Sequence, residues 1–263
     1  MKMFTPSAAG RPIWSMLIFL MMPGHGATSR AVASEAPEFH TPARDRDGLT
    51  ASAERDEALP NVLVIGDSIS IGYMKTVVAA LHGKANVARP KTNCGNTANG
   101  VARLDEWLGS SKWDVIHFNF GLHDLCYRSP ESRLVGNRDK VNGRRDVSPG
   151  DYRKNLGTIL VRLEATGAKL IFATTTVVPP GEAGRFEGDE IIYNRIAAEV
   201  MRQHGVAIDD LFGLTKGFGS ELFAGRGNVH YTAAGYKLLG AWVAESIERL
   251  LPVRDGSGAS AAD

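Results

Sequence analysis

Three side chains in this 263-residue sequence combine the types and settings that hydrolytic chemistry needs: Ser68, His123 and His230. Serine becomes a nucleophile when a base takes its proton, and histidine is the usual base. Ser68 stands where an apolar run, Val62 to Ile65, gives way through Gly66-Asp67 to helical spacing between Tyr73 and Leu81. A strand buried on both faces and followed by a helix sets this serine at the carboxyl edge of a sheet, where open α/β folds build their sites. Free helical N–H groups there stabilise developing negative charge. The competing reading of Ser68 is a helix N-cap. Of the seven histidines, His25 and His40 precede the folded region, His82 and His204 fall near helix ends, and His117 lies inside a strand. His123 and His230 remain, both on loops at the presumed active edge.

Four short blocks occur in order: Gly66-Asp67-Ser68, Asn93-Cys94-Gly95-Asn96, Gly121-Leu122-His123-Asp124 and Val229-His230 before a helix. Together they resemble the SGNH, or GDSL, hydrolase family, over roughly Asn61 to Leu251. The Gly-x-Ser-x-Gly elbow of α/β-hydrolases is absent, because Ser70 occupies its last position. The resemblance implies Ser68 as nucleophile and His230 as general base and then acid. It also implies an oxyanion hole from the N–H groups of Ser68 and Gly95, with donors of this kind contributing about 3–4 kcal/mol each in kcat.

Two positions depart from the family pattern. His123 stands where the family usually has an asparagine that donates to the oxyanion, and an imidazole N–H donates only in the right tautomer. A structural histidine is the other reading. The family's acid usually lies three residues before the histidine, where this chain has Gly227. Three explanations follow, in order of preference: a Ser68–His230 dyad oriented by a carbonyl or by Asn228, a carboxylate from elsewhere such as Asp124 or Asp209, or an inactive site. Asp67 and Asp124 are expected to hold loops by accepting backbone N–H bonds. No His, Asp or Glu pair has zinc-ligand spacing and no glycine-rich phosphate loop is present, so neither metal nor cofactor is expected.

Strands that position these residues alternate with helices. The expected strands are 62–65, 85–88, 113–120, 169–174 and 206–208; the expected helices are 73–81, 101–108, one opened by Ser148-Pro149, 190–203, and one from Thr232 to about Leu251. The pattern predicts an α/β fold, a three-layer α/β/α sandwich with a central parallel sheet of about five strands. This is the flavodoxin-like arrangement that the SGNH resemblance also implies. Residues 127–147 lack apolar periodicity and carry six basic side chains against three acidic ones. A long excursion of this kind from the active edge reads as a binding loop.

Formal net charge is +1, which gives no general argument for nucleic acid. Lys2 and Arg11 before the apolar run Ile13 to Met22, then Ala31-Val32-Ala33, form the layout of a secretory signal over 1–33. The expected location is therefore secreted or periplasmic, without a stable membrane anchor. Residues 34–59 read as a flexible linker, 60–252 as the hydrolase domain and 253–263 as a disordered tail. Export permits a disulfide between Cys94 and Cys126, which is expected here. The resemblance is closest to exported carbohydrate acetylesterases, which implies a short acyl ester on a glycan as substrate. A lipid ester or thioester is the alternative, and a glycan-binding module on the same scaffold is the rival from another class.

Overall fold

The computed structural model describes residues 49–51 and 55–252. The signal segment, most of the linker and the tail lie outside the described residues. The chain runs β1 (Leu49–Ala51), β2 (Asn61–Ile65), α1 (Ser68–Ala80), β3 (Asn86–Pro90), α2 (Thr97–Leu108) and β4 (Val115–Phe118). It continues with β5 (Tyr127–Arg128), β6 (Arg144–Arg145), α3 (Pro149–Glu164), β7 (Lys169–Ala173), α4 (Asp189–Gln203), β8 (Ala207–Asp209), α5 (Leu211–Lys216) and α6 (Ala233–Glu248). The main sheet has the order β1-β3-β2-β4-β7-β8. Strands β3, β2, β4, β7 and β8 are mutually parallel, and β1 closes one edge antiparallel to β3. The five-strand parallel sheet and its flanking helices therefore match the expected class.

Two corrections concern the region before β2 and the cysteines. Residues 49–51, read as linker, pair as an edge strand through Leu49–Pro90, Thr50–Arg89 and Ala51–Ala88. Backbone pairing to β3 stabilises them, a contact that their own composition does not announce. Cys94 and Cys126 are separate, buried free thiols. Cys94 turns into the core, its N–H on the Gly66 carbonyl at 3.2 Å, and burial pushes its thiol up to about 11. Cys126 packs instead under Gly184, where an added Cβ would lie 3.0 Å from its Sγ.

Strand β2 is central because both of its faces are covered. Val62, Leu63, Val64 and Ile65 are wholly buried, which stabilises the sheet by about 1.5–3 kcal/mol per side chain. Its neighbours are β3 on one side and β4 on the other. Chain order reverses there, so the residues after β2 emerge at the topological switch point. Helices α2, α3 and α4 pack in sequence, whereas α1 packs on α6.

The α1–α6 contact holds the two ends of the domain in register. A Cβ at Gly72 would overlap the Tyr236 ring, and one at Gly240 would lie 2.5 Å from the Thr76 Cβ. One turn beyond the last helical residue of α1, Lys84 pairs with Glu248 at 2.6 Å, 164 residues away. Gly72 with Tyr236 and Thr76 with Gly240 have that same separation, so the helices run parallel. Continued backward, the register sets Ser68 beside Thr232, at the entry to α6. Gly72→Ala is expected to destabilise the protein by about 1–3 kcal/mol through overpacking, outweighing the ~1 kcal/mol that alanine gains in helix propensity. A lower urea midpoint at unchanged m-value is the expected measurement.

Candidate active site

Asp67 caps α1, its Oδ1 accepting from the Ile69 N–H at 2.9 Å. Ser68 is the first helical residue, so its N–H is among those a helix leaves without an intrahelical acceptor. Its hydroxyl has no part in capping. Partly buried, it donates to His230 Nε2 at 2.9 Å, across 162 residues of chain. The second serine of the turn is spent: Ser70 Oγ is buried and donates to the Asp67 carbonyl at 2.7 Å.

The far nitrogen of His230 meets Asn228. Nδ1 lies 2.9 Å from Asn228 Oδ1, which also accepts the His230 backbone N–H at 3.0 Å. That backbone bond holds the amide with its oxygen toward the ring, so Nδ1 carries the proton and Nε2 is free to accept. The two carboxylates considered from elsewhere are committed otherwise. Asp209 Oδ2 lies 2.9 Å from His117 Nε2 in the core. Asp124 accepts from the Thr97 N–H at 2.8 Å and from its hydroxyl.

Gly227 is empty of a side chain for a local reason. Its φ is +67°, and a Cβ there would lie 2.5 Å from the Gly181 carbonyl oxygen. No acid fits at this position. Burial pushes His230 below the ordinary histidine value; the Asp67 charge opposes this, while Arg185 and Arg138 push it further down. A neutral imidazole, able to accept a proton near pH 7, is the result.

His123 lies two residues after Gly121, whose φ of +149° and contact with Thr175 Oγ1 exclude any Cβ. Arg128 Nη2 donates to His123 Nδ1 at 3.4 Å. A guanidinium cannot accept, so this contact leaves the proton of a neutral ring on Nε2. Burial lowers the pKa of His123 as well, with Arg128 and Arg185 acting in the same direction. The Gly95 N–H already has an acceptor. It donates to Asn93 Oδ1 at 2.9 Å, and Asn93 lines the cleft. An exposed side chain thus occupies the donor that an oxyanion would use.

Ser68, His123 and His230 share a cleft of about 210 Å³ with Arg128, Arg138 and Arg185. Two segments that sequence reading treated separately build its wall. The 127–147 excursion is pinned by the β5–β6 ladder and by Arg145 on Asp189 at 2.8 Å. Tyr127 N–H also bonds the Gly184 carbonyl at 2.6 Å. Glu182, buried, receives Arg138 at 3.1 Å and Arg185 at 2.8 Å. Arg185 and Glu182 went unnoticed in the sequence, where they sit in an irregular loop without a motif. A larger cavity of about 550 Å³, lined by Pro179, Pro180, Phe218 and Phe223, lies elsewhere and does not include Ser68. Among the described residues, no group of three or more His, Cys, Asp or Glu side chains could hold a metal ion.

The model of the GDSL-like lipase/acylhydrolase family matches residues 64–238. The chain belongs to that family, and as a member it is a carboxylic ester hydrolase. A lipase/acylhydrolase from Enterococcus faecalis is 21% identical, with a TM-score of 0.61 over 75% of this chain and 100% of its own. Axe2, an acetylxylan esterase from Geobacillus stearothermophilus, is 17% identical, with a TM-score of 0.58 over 72% and 94%. The acetyl xylan esterase AlAXEase is 15% identical, with a TM-score of 0.56 over 71% and 99%. At these identities the likeness is one of fold. No match was found among the curated proteins.

Placing the family's acid at its usual position is expected to fail here. Gly227→Asp should lower stability by about 1–3 kcal/mol, since it adds both overlap with Gly181 and a left-handed backbone for a non-glycine residue. The urea midpoint checks this.

Proposed function

We propose that the chain is a serine esterase that removes a short acyl group, acetyl being the first choice, from a carbohydrate by way of an acyl-enzyme. The observation that carries this reading is the relay from Ser68 Oγ through His230 to Asn228 Oδ1, with both links at 2.9 Å. The acetylxylan esterases among the structures of similar fold support the choice of acyl group and of a glycan, and the small cleft is in keeping with both. Among the described residues no helix is long and apolar enough to cross a membrane. The N-terminal signal layout supports action outside the cytoplasm.

Ser68 Oγ attacks the acyl carbonyl carbon as its proton passes to His230 Nε2. The carbonyl oxygen becomes an oxyanion received by the Ser68 N–H at the start of α1 and by His123 Nε2–H. The Gly95 N–H joins them when the substrate oxygen displaces Asn93 Oδ1. His230 then gives its proton to the departing alcohol. A water, deprotonated by the same nitrogen, attacks the acyl-serine and regenerates Ser68.

Asn228 orients the ring but adds no negative charge beside the imidazolium. Loss of the acid in a related triad costs about 10⁴ in kcat because the wrong tautomer results. Here the amide oxygen faces Nδ1, which removes that part of the loss.

Ser68→Ala should lower the hydrolysis of p-nitrophenyl acetate by at least about 10³-fold and abolish labelling by a fluorophosphonate. A variant as active as the wild type would end the proposal. For the wild type, the acid limb of kcat/KM should lie below pH 6.5, because the depressed His230 pKa keeps the base neutral at lower pH. Asn228→Asp places a charge at Nδ1–H, which favours the imidazolium. It should shift that limb upward and raise the plateau of kcat about tenfold, both read from the pH–rate profile.

A further inference from the structure

The arginines of the cleft wall are not equally committed. Arg128 spends its guanidinium on Asp146 at 3.2 Å, on the Gly136 carbonyl and on His123. Arg138 spends Nε on the Val135 carbonyl at 3.0 Å and Nη1 on Glu182 Oε1 at 3.1 Å. Arg185 spends Nε on the Leu122 carbonyl at 2.6 Å and Nη1 on the same Glu182 oxygen at 2.8 Å. Neither Arg138 nor Arg185 has a hydrogen-bond partner for Nη2 among the described residues.

Two guanidinium groups therefore share one carboxylate, leaving one positive charge in excess and one amino group unspent on each. The Arg185 side chain is only 7% exposed, so its orientation is held by its surroundings. Asp67 is the carboxylate that lines the cleft itself; it is buried, and its Oδ1 caps α1. Both arginines depress the pKa of His230, against a larger opposing effect of Asp67, so all three charges reach that ring.

We propose that Arg138 and Arg185 form a subsite for a carboxylate on the alcohol portion of the ester, so that the substrate is an acylated acidic sugar of the uronate type. This rests on the esterase reading of Ser68. Two amino groups suit the two oxygens of a carboxylate, and its single charge matches the one guanidinium that Glu182 leaves uncompensated. A sulfate or phosphate ester, with three terminal oxygens, meets the same N–H groups, and the comparison with a sulfated sugar separates it from a carboxylate. The alcohol side is assigned because Arg138, on the 127–147 excursion, is the more solvent-exposed of the two arginines, while a short acyl group needs only the space beside Ser68.

The test compares kcat/KM for an O-acetylated methyl galacturonoside, its methyl ester and the matching O-acetylated methyl galactoside. The free acid should be preferred over both neutral sugars at least tenfold, and added salt should reduce the preference. Arg138→Ala should lower the acid-to-neutral ratio about tenfold, chiefly through KM, and Arg138→Lys should restore part of it. A wild-type ratio near one overturns the subsite, as does a ratio untouched by Arg138→Ala or a stronger preference for a sulfated sugar. Turnover of p-nitrophenyl acetate without acid preference would overturn the subsite alone and leave the esterase reading standing. If no ester is turned over, the esterase reading falls. Calorimetric binding of free galacturonate against galactose to the full chain then decides the subsite, with equal affinities counting against it.

Discussion

The close parallel contact between α1 and α6 is the constraint on which the site depends. Ser68 opens one helix and His230 lies just before the other, far apart along the chain. Their meeting requires two helix axes to approach with a single register. Gly72 makes room for the Tyr236 ring and Gly240 for Thr76, so a slide of one turn would carry a side chain into a space without room for it. Packed interiors respond to such shifts in steps rather than continuously. The 2.9 Å bond between serine and imidazole is thus a product of helix packing and not of the loops alone.

A second constraint runs through the loop before α6. Gly227 turns against the Gly181 carbonyl, and the next residue, Asn228, receives both the backbone and the ring of His230. A neutral acceptor takes the place of a charge, while burial and two nearby arginines keep the imidazole neutral. An imidazole in this setting gives up a proton readily. Asp67 opposes the arginines in part, as a buried carboxylate fixed at the start of α1.

Much of this was legible in the sequence because its signals are local. The apolar run before Gly66 is β2, the Ser148-Pro149 start is the cap of α3, and Thr232 caps α6. The blocks around Ser68 and His230 could be read for the same reason. What escaped depends on partners distant in sequence. Nothing near Gly227 reveals the Gly181 carbonyl, and Arg128, although only five residues from His123, reaches its ring through a loop whose path has no periodic signal. The competing N-cap reading of Ser68 gave way because Asp67, one residue earlier, supplies the cap. The bridge expected between Cys94 and Cys126 failed because each thiol is buried against different backbone. The short helix α5 and the edge strand β1 are too brief for periodicity to register.

The cross-ties between the 127–147 excursion and the 181–189 loop make the two a single structural unit. Glu182 is buried and draws one of its two cations from each segment. Grafting the excursion alone onto another scaffold would separate Arg138 from its carboxylate, and deleting it here would leave Glu182 with half its compensation. Diversification of this rim is thereby biased toward paired change, in which both segments are exchanged together or neither is.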